Sequence, residues 1–371
     1  TGTCAKGTTT DQVGITPTYF MSFADNDVRR DVTCARYSNV NDTIAACSNS
    51  TNLFVGKWNR AWSTKALGAS SSKGTGINWP LMRYSDVLLM LAEADNELNG
   101  APTELAKSSL KAVRERAFAS SATYSKDVDS YVDSVSSGKD AFFNAIVNER
   151  AWEFGGECIR KFDLVRWNNY GDVINNVVAQ MNNWAIATDS VLTNLVTDKY
   201  PNAIKYKSWA DNLYYSKASN KINWLNNKYK VTDATAITGK YKISWGAYLL
   251  KKVTTYNYKD TAYTKVVKVT NTDGSVTYTL DSKRVVTVAS GESPGITKVL
   301  SYQAGDFATR MYRGYTGVTG VGTGAVPYLM PIGTTTLSSS KVLNNDGYGF
   351  SKTYVGPDVN VEFTSVSTEY K

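Results

Sequence analysis

The sequence predicts a mainly α-helical chain with irregular loops and a β-containing insertion. Apolar residues recur at helical spacing over residues 81–118, on both sides of Gly100 and Pro102. A second helical segment, rich in charge, is expected over residues 140–167. Residues 240–303 instead alternate polar with β-branched or aromatic side chains, which is the period of strands.

The size and composition are those of a globular protein with room for more than one domain. The chain has 371 residues, of which 42% are hydrophobic and 20% charged, so it can bury a large core. We predict a loop-rich segment over 1–80, a helical core over 81–170, and a mixed loop and β region over 171–371. No run of 18 apolar residues is present, so the sequence predicts no membrane-spanning helix.

Residues 1–80 are predicted to form extended segments and loops, with a short element near residues 54–62. They are rich in Thr, Ser, Asn and Gly and contain few apolar residues at regular spacing. The acidic residues at 25–31 lack the glycine and the terminal glutamate of an EF-hand calcium loop, which favours a surface turn. Among the cysteines of this region, Cys34 and Cys47 are the preferred disulfide pair.

A tight pair of helices is predicted next. Gly100 ends the first helix and Pro102 suits the first turn of the second. The stripe expected to face the core comprises Val87, Leu88, Leu91, Ala92, Ala94 and Leu98 in the first helix, then Leu105, Ala106, Leu110, Val113 and Ala117 in the second. The pair resembles a tetratricopeptide hairpin, whose faces need neighbouring repeats for burial.

Opposite charges surround two glycines in the following helical segment, for which Asp140 is the predicted N-cap. Glu149 and Glu153 share one helix face because they are four residues apart. Gly155–Gly156 can end or bend the helix, and charged residues then recur at three-residue steps. This pattern predicts ion pairs that hold neighbouring helices at a fixed angle. The residues assigned to this structural role are Arg83, Glu93, Glu149, Arg150, Glu153, Arg160, Asp163, Arg166 and Trp167.

The remainder of the chain mixes short helices, loops and strands. Asp273–Gly274, between two alternating runs, predicts a hairpin turn. Residues 198–268 hold fourteen lysines and four aspartates but no arginine or glutamate. Scattered lysines without arginine favour a solvated surface over a phosphate or nucleic-acid site.

The residue types exclude several kinds of active site. The chain has no histidine, so a Ser-His-Asp triad, a Cys-His pair and a His-based zinc site are impossible. Its four cysteines form no CxxC motif, and no metal or other cofactor is expected. Glutamates at 149, 153 and 157 could supply the acid and base of a glycoside hydrolase. Arginines alternate with them, however, and paired cations tie up carboxylate oxygens, so no catalytic residue is assigned.

Three ordered stretches resemble the SusD/RagB family, surface lipoproteins that capture nutrients for outer-membrane transporters of Bacteroidetes. They are WPLMRYSDVLLMLAEADNELNG at 79–100, NERAWEFGGECIRKFDLVRW at 148–167 and YLMPIGTTTLSSSKVLNNDGYGF at 328–350. The resemblance implies a SusD-like fold and non-catalytic capture of an oligosaccharide or other nutrient for a SusC-like TonB-dependent transporter. It also implies the C-terminal portion of a longer protein, whose membrane contact is an N-terminal lipid anchor outside this sequence.

Aromatic side chains are the candidate ligand contacts. The chain has 24 Tyr and 9 Trp, more than a core needs, and exposed rings stack well on sugars. Family members carry binding aromatics largely before the main helix, where this chain has Trp58, Trp62 and Trp79. The alternative is that these rings close the core. Asn59 and Arg60 could hydrogen-bond sugar hydroxyls or form solvated surface.

Two other functions remain open on the sequence alone. An adhesin-like protein would contact a host surface through the β insertion and the lysine-rich segment. A glycan-degrading enzyme would instead use the acidic residues of the charged helical segment.

Overall fold

A computed structural model describes residues 14–50, 52–59, 62, 79–190, 200–246, 250–304 and 366–369. The chain forms two compact units. The first contains Thr1–Val173 and Ala187–Ala247, and the second contains Ile174–Ile186 and Tyr248–Lys371. The division into 1–80, 81–170 and 171–371 stays a prediction, and the closing segment at 328–350 lies outside the described residues.

Helices dominate the described part of the first unit, as the sequence predicts. In chain order they are α1 (Pro17–Ser22), α2 (Arg29–Thr33), α3 (Tyr84–Asn99), α4 (Glu104–Phe118), a π-helical turn (Lys126–Ser130), α5 (Tyr131–Val135), α6 (Lys139–Phe154) and α7 (Arg160–Arg166). Two 3₁₀ turns (Pro201–Tyr206, Thr235–Ile237) also belong to this unit, whereas most of helix α8 (Tyr170–Thr188) belongs to the second unit. In the described ranges, none of these helices is both long and apolar enough to cross a membrane.

The predicted α3–α4 hairpin is confirmed, and its turn chemistry is local. Gly100 caps α3 with a φ of 70°, a left-handed conformation that glycine adopts without strain. Helix α4 begins at Glu104, and the Thr103 side chain caps it by accepting a hydrogen bond from the Leu105 amide. Pro102 therefore lies before the cap rather than at its predicted position in the first turn. Asp95 accepts hydrogen bonds from the Thr103 amide at 3.0 Å and hydroxyl at 2.8 Å, which ties the turn to the end of α3.

The face of α3 that is buried differs from the predicted stripe. Leu89 and Ala92 lie in the core, but so do three polar residues, Ser85, Asp86 and Asn96. The predicted stripe members Val87, Leu91, Ala94 and Leu98 are exposed. Buried polar groups are tolerated when they are hydrogen-bonded, and each of these three has a partner on α6. Those partners determine which face of α3 turns inward.

The core of this unit lies between α3, α4, α5 and α6. Its buried members are Leu89, Ala92, Ala106, Leu110, Val113, Val132, Phe142, Ala145, Ile146 and Phe154. The predicted stripe of α4 is confirmed except for Leu105, which is exposed. Helix α6 begins at Lys139 after an N-cap at Gly138, so Asp140 lies in the first turn rather than at the cap. An acid there still interacts favourably with the helix dipole.

Short antiparallel strands complete the described first unit. Strands β1 (Gly14–Ile15), β5 (Leu53–Val55) and β2 (Cys34–Ala35) form one sheet in that order, and β3 (Tyr37–Val40) pairs with β4 (Thr43–Ala46). Strands β7 (Lys221–Trp224), β6 (Asn212–Ala218) and β8 (Tyr241–Ser244) form another. The extended character predicted for residues 1–80 is therefore present, as short strands, in the described part of that segment.

The predicted Cys34–Cys47 disulfide is wrong, because both thiols are free and buried. The Cys47 amide donates to the Arg36 carbonyl at 2.9 Å, which continues the β3–β4 register and places Cys47 opposite Arg36. Cys34 instead lies in β2, opposite Val55 of β5, which belongs to another sheet. Burial raises the pKa of both thiols, that of Cys47 to about 12.

The described strands of the second unit form two antiparallel sheets. The first has the order β10 (Thr261–Tyr263), β9 (Leu250–Tyr258), β14 (Ile296–Ala304), β15 (Val366–Glu369), and the second β11 (Val266–Thr270), β12 (Val276–Leu280), β13 (Arg284–Val288). Tyr278, Leu280 and Ile296 form their buried centre. The turn predicted at Asp273–Gly274 joins β11 to β12, and Gly274 has a φ of 83°. The strand pattern predicted for 240–303 is thus confirmed over its described residues.

Candidate functional site

The acidic residues of α6 are buried among cations from distant segments. Glu149 has no exposed surface. One of its oxygens accepts from Arg29 Nη1 at 2.7 Å, and the other accepts from Arg114 Nη1 at 2.7 Å. Arg29 is held in turn by Asp27, at 2.7 Å between Nη2 and Oδ2. Each charge of this group is therefore compensated inside the protein, as a buried ion requires.

Glu153 lies one helical turn further on and meets still more cations. Its Oε1 accepts from Arg83 Nη1 at 2.8 Å, from the Ser85 hydroxyl at 3.1 Å and from Arg116, while Oε2 accepts from Arg29 at 3.1 Å. Burial by itself would raise the pKa of Glu153, but the bonds from Arg116 and Arg83 outweigh it and lower the pKa to about 2. Glu153 is therefore ionised throughout the neutral range.

Glu157 joins two segments that are far apart in the sequence. Arg83 donates from Nε to one Glu157 oxygen and from Nη2 to the other, both at 2.9 Å, a bidentate pair. Lys57 Nζ binds the same carboxylate at 2.5 Å. Burial lowers the pKa of Lys57, and the Glu157 contact opposes that shift. Glu157 thus holds the segment after β5 next to the start of α3.

A second group of ion pairs fastens α7 to α3 and α6. Arg150 binds Asp163 at 2.8 Å and Asp86 at 2.7 Å. Arg166 binds the same Asp163 at 3.0 Å and Glu93 at 2.5 Å. All of these residues belong to the first unit. Asp163 therefore bridges two arginines, one on α6 and one on α7.

The last two residues assigned to the structural role have different partners. Trp167 donates its indole N–H to Glu93 at 2.8 Å. Arg160 donates to the Val147 carbonyl at 2.8 Å, and burial lowers its pKa. Within the predicted ladder of three-residue steps, only Asp163 and Arg166 bind each other among the described contacts. The other charges bind partners on other elements.

Sequence reasoning missed several members of this network. They are Asp27, Arg29, Lys57, Asp86, Arg114 and Arg116. Arg29 is separated from Glu149 by 120 residues, so no local spacing relates the two. The acid–arginine run at 25–31 is the signal that could have found two of them. Its Asp27 and Arg29 point into the network, while Arg30 and Arg36 bind Asp31 at 3.0 Å each.

The two glycines lie where other segments press against the backbone. A Cβ atom on Gly155 would overlap the Tyr19 hydroxyl, which donates to the Ala151 carbonyl at 2.6 Å. Gly156 has a φ of 81°, and a Cβ there would lie 2.6 Å from Val55 Cγ1. Position 155 therefore requires glycine because Tyr19 lies too close for a Cβ atom. Position 156 requires it both because Val55 is close and because the backbone φ is positive.

The arrangement limits what chemistry these acids can perform. Every carboxylate oxygen of Glu149, Glu153 and Glu157 accepts at least one bond from an arginine or lysine. A general acid must carry a proton near neutral pH, and Glu153, whose pKa is lowered to about 2, does not. Among the described residues, no cluster of three or more Cys, Asp or Glu has the arrangement of a metal site.

Stability should fall in acid because of Glu153. Its folded-state pKa is depressed from 4.5 to about 2, so its contribution is present above pH 4.5 and lost as the pH falls through 2. We expect the free energy of unfolding to decrease by about 3 kcal/mol across this window from this group alone. Urea unfolding of the protein and of Glu153→Gln at several pH values tests this. Parallel pH profiles of the two proteins would contradict it.

The predicted tryptophans lie on a partly exposed surface beside the network. Trp58 and Trp79 contact each other, with ring centroids 4.8 Å apart and planes tilted by 38°. Trp79 is 47% exposed and Trp62 is 58% exposed. Trp62 follows a turn in which its amide donates to the Asn59 carbonyl at 3.0 Å, and the Asn59 amide group donates to the Tyr37 hydroxyl. Arg60 lies outside the described residues.

The network positions this tryptophan pair. Lys57 precedes Trp58, and Arg83 follows Trp79 by four residues. Both cations bind Glu157, so one carboxylate fastens the two segments that carry the rings. The structure thus brings two of the three predicted tryptophans together and leaves the third exposed on the adjoining turn.

A family model identifies the family of this chain. The model of the SusD family matches residues 19–348. SusD-like protein P25 of Formosa agariphila is 40% identical over 98 residues, which are 26% of this chain and 16% of that protein. A crystal structure of a SusD homolog from Bacteroides thetaiotaomicron shares 22% identity and a TM-score of 0.40, covering 45% of this chain and 35% of that one. The chain spans well under half the length of both relatives.

Proposed function

Because this chain belongs to the SusD family, we propose that it captures a glycan or another nutrient at the bacterial cell surface without cleaving it. The observation that carries the proposal is the partly exposed tryptophan surface of Trp58, Trp62 and Trp79, held in place by a network whose acids are fully paired. A binding protein needs rigid recognition groups and no free general acid. The tryptophans supply rigid recognition groups, and the acids of the network are all bound by arginine or lysine.

The chemistry of the surface suits a sugar. Single exposed rings are normal on a protein surface, whereas neighbouring exposed rings more often mark a binding surface. Flat rings contribute about 1 kcal/mol each when they stack on a ligand, at little cost in conformational entropy. Trp58 and Trp79 pack against each other, so contact with Trp58 restricts the movement of the half-exposed Trp79 ring.

The finer parts of the proposal follow from the family. We expect the full-length protein to be lipid-anchored at the outer membrane and to deliver its ligand to a SusC-like TonB-dependent transporter. Membership in the family supports this placement. Co-purification of the full-length protein with a transporter from its native membrane would test it, and a protein that fractionates away from the outer membrane would contradict it.

Loss of an exposed ring should weaken glycan binding. We expect Trp79→Ala and Trp62→Ala each to lower affinity by about 5- to 10-fold, since each removes about one stacking interaction. Calorimetric titration with oligosaccharides selected on a glycan array measures the effect. Phe162→Ala is the matched control, because Phe162 is 63% exposed on α7, outside the segments that carry the tryptophans, and its loss should leave affinity unchanged.

Two outcomes would count against this function. Equal losses for Phe162→Ala and Trp79→Ala would show that the tryptophans have no special role. Release of reducing sugar from a bound oligosaccharide by the purified chain would support the glycan-degrading alternative instead.

A further inference from the structure

The first unit also has a concave feature that shares no lining residue with the tryptophan surface. It is a pocket of about 540 Å³ between the end of α1, the π-helical turn, α5 and α6. That volume lies within the range of small-molecule pockets, about 300–1,000 Å³. Phe23 and Phe118, both fully buried, contribute to its lining. The functions proposed above make no use of this pocket.

Two aromatic walls of the pocket are held rigidly by the ion-pair network. The Arg114 guanidinium lies 3.6 Å from the ring centroid of Tyr131 and 6.0 Å from that of Trp152. Arg114 is itself fixed by Glu149 and by the Asp127 carbonyl, which accepts at 2.7 Å. The Trp152 indole also donates to the Ser22 hydroxyl at 3.1 Å. Rings held this way lose little entropy when a ligand binds.

The π-helical turn brings unpaired polar groups to the same pocket. Such turns are rare and occur frequently at functional sites. This one carries Lys126, Asp127 and Ser130, and all three line the pocket. Among the described residues, the Lys126 ammonium and the Ser130 hydroxyl have no hydrogen-bond or ion-pair partner. Donors that are already paired offer a ligand little, whereas these two are available.

The charge of the pocket favours a neutral ligand. Arg114 is neutralised by Glu149, and Lys228 binds Asp25 at 3.2 Å and the Phe23 carbonyl at 2.7 Å. The remaining cation, Lys126, is adjacent in sequence to Asp127, which binds neutral groups such as the Ser121 hydroxyl. The pocket therefore has no surplus positive charge to attract a phosphate or a uronic acid. Its ammonium, carboxylate and hydroxyl groups beside two rings are instead the set that binds sugar hydroxyls and C–H faces.

We propose that this pocket is a second carbohydrate subsite, which binds one neutral sugar ring beside Tyr131 and Trp152 with hydroxyl contacts from Lys126 and Ser130. The inference rests on the proposed function, because it assumes that the ligand is a glycan. It adds a binding position separate from Trp58, Trp62 and Trp79.

Filling the pocket tests the proposal. Ser130→Trp places a large ring at an exposed position with no partner to lose, and Lys126→Ala removes one donor without adding bulk. Ala122→Trp is the matched control, since Ala122 is exposed nearby in the sequence but does not line the pocket. The probes are short soluble oligosaccharides of glucose, mannose, galactose or xylose, titrated calorimetrically, with circular dichroism to verify folding. We expect affinity to fall about tenfold for Ser130→Trp and about threefold for Lys126→Ala, with no change for Ala122→Trp.

The possible results separate this subsite from the proposed function. Unchanged affinity in both Ser130→Trp and Lys126→Ala, with binding lost in Trp79→Ala, would overturn the subsite and leave the function standing. Loss in Ser130→Trp with full binding by Trp79→Ala would support the subsite and reject the tryptophan surface. Should Ser130→Trp misfold, Lys126→Ala alone decides. Absence of binding by the unchanged protein to every probe would overturn both.

Discussion

Replacement of Glu149 by glutamine should lower the free energy of unfolding by about 3–5 kcal/mol, the usual cost of removing one partner from a buried ion pair. The Glu149 side chain is fully buried, and each of its oxygens binds a guanidinium at 2.7 Å. Glutamine preserves the shape but leaves Arg29 and Arg114 without a compensating charge and directs an amide N–H₂ toward one of them. Urea unfolding with an unchanged denaturant slope gives the difference.

A surface ion pair provides the control for this prediction. Glu104 binds Lys107 at 2.8 Å but is 90% exposed, so Glu104→Gln should cost at most about 0.5 kcal/mol. A loss below about 1 kcal/mol for Glu149→Gln would contradict the structural role of the network. A variant that stays fully stable yet loses a hydrolytic activity would favour catalysis instead.

Replacement of Gly156 by alanine should cost about 3 kcal/mol. The backbone φ of 81° is strained for any residue with a Cβ, at about 1–2 kcal/mol. The new methyl group would also lie 2.6 Å from Val55 Cγ1, and overpacking of this kind costs about 1–3 kcal/mol. The midpoint and slope of urea unfolding measure the sum.

Gly100 separates the two contributions to that cost. It has a similar φ of 70°, but no described atom lies within 4 Å of the position that a Cβ would take, so Gly100→Ala should show the conformational cost alone, about 1 kcal/mol. Val55→Ala combined with Gly156→Ala should cost less than the sum of the two single changes, because the smaller side chain makes room. Equal losses for Gly100→Ala and Gly156→Ala would show that the contact with Val55 is unimportant.

The helical hairpin illustrates how much of the fold can be predicted from sequence. Gly100 and Thr103 cap helix ends through contacts with residues close to them in the sequence. The end of α3 and the start of α4 can therefore be predicted from the sequence. The prediction for the inward face of α3 is wrong because helical periodicity assumes that apolar residues are buried. Here Ser85 and Asp86 are buried instead, since Glu153 and Arg150 satisfy them. That satisfaction depends on another helix.

The site shows the same division. The alternation of glutamate and arginine around Gly155–Gly156 indicates ion pairing, and the residue types alone are sufficient to predict that such pairs form. The actual partners are not predictable, because they come from segments such as Arg29, which is 120 residues from Glu149. The disulfide prediction fails for a related reason, because different strand pairings place the two cysteines: β2 with β5 for Cys34, and β3 with β4 for Cys47.

By itself, the sequence determined the helical hairpin, the β hairpin at Asp273–Gly274, the absence of histidine chemistry and the resemblance to a nutrient-binding family. These features depend on residue types and on spacings of a few residues, and both are present in the sequence before the chain folds. Only the tertiary structure decided which charges pair, which face of α3 is buried, and that Glu157 places Trp58 beside Trp79. Coulomb and packing energies depend on distances in space, and those distances exist only once segments far apart in the chain have come together.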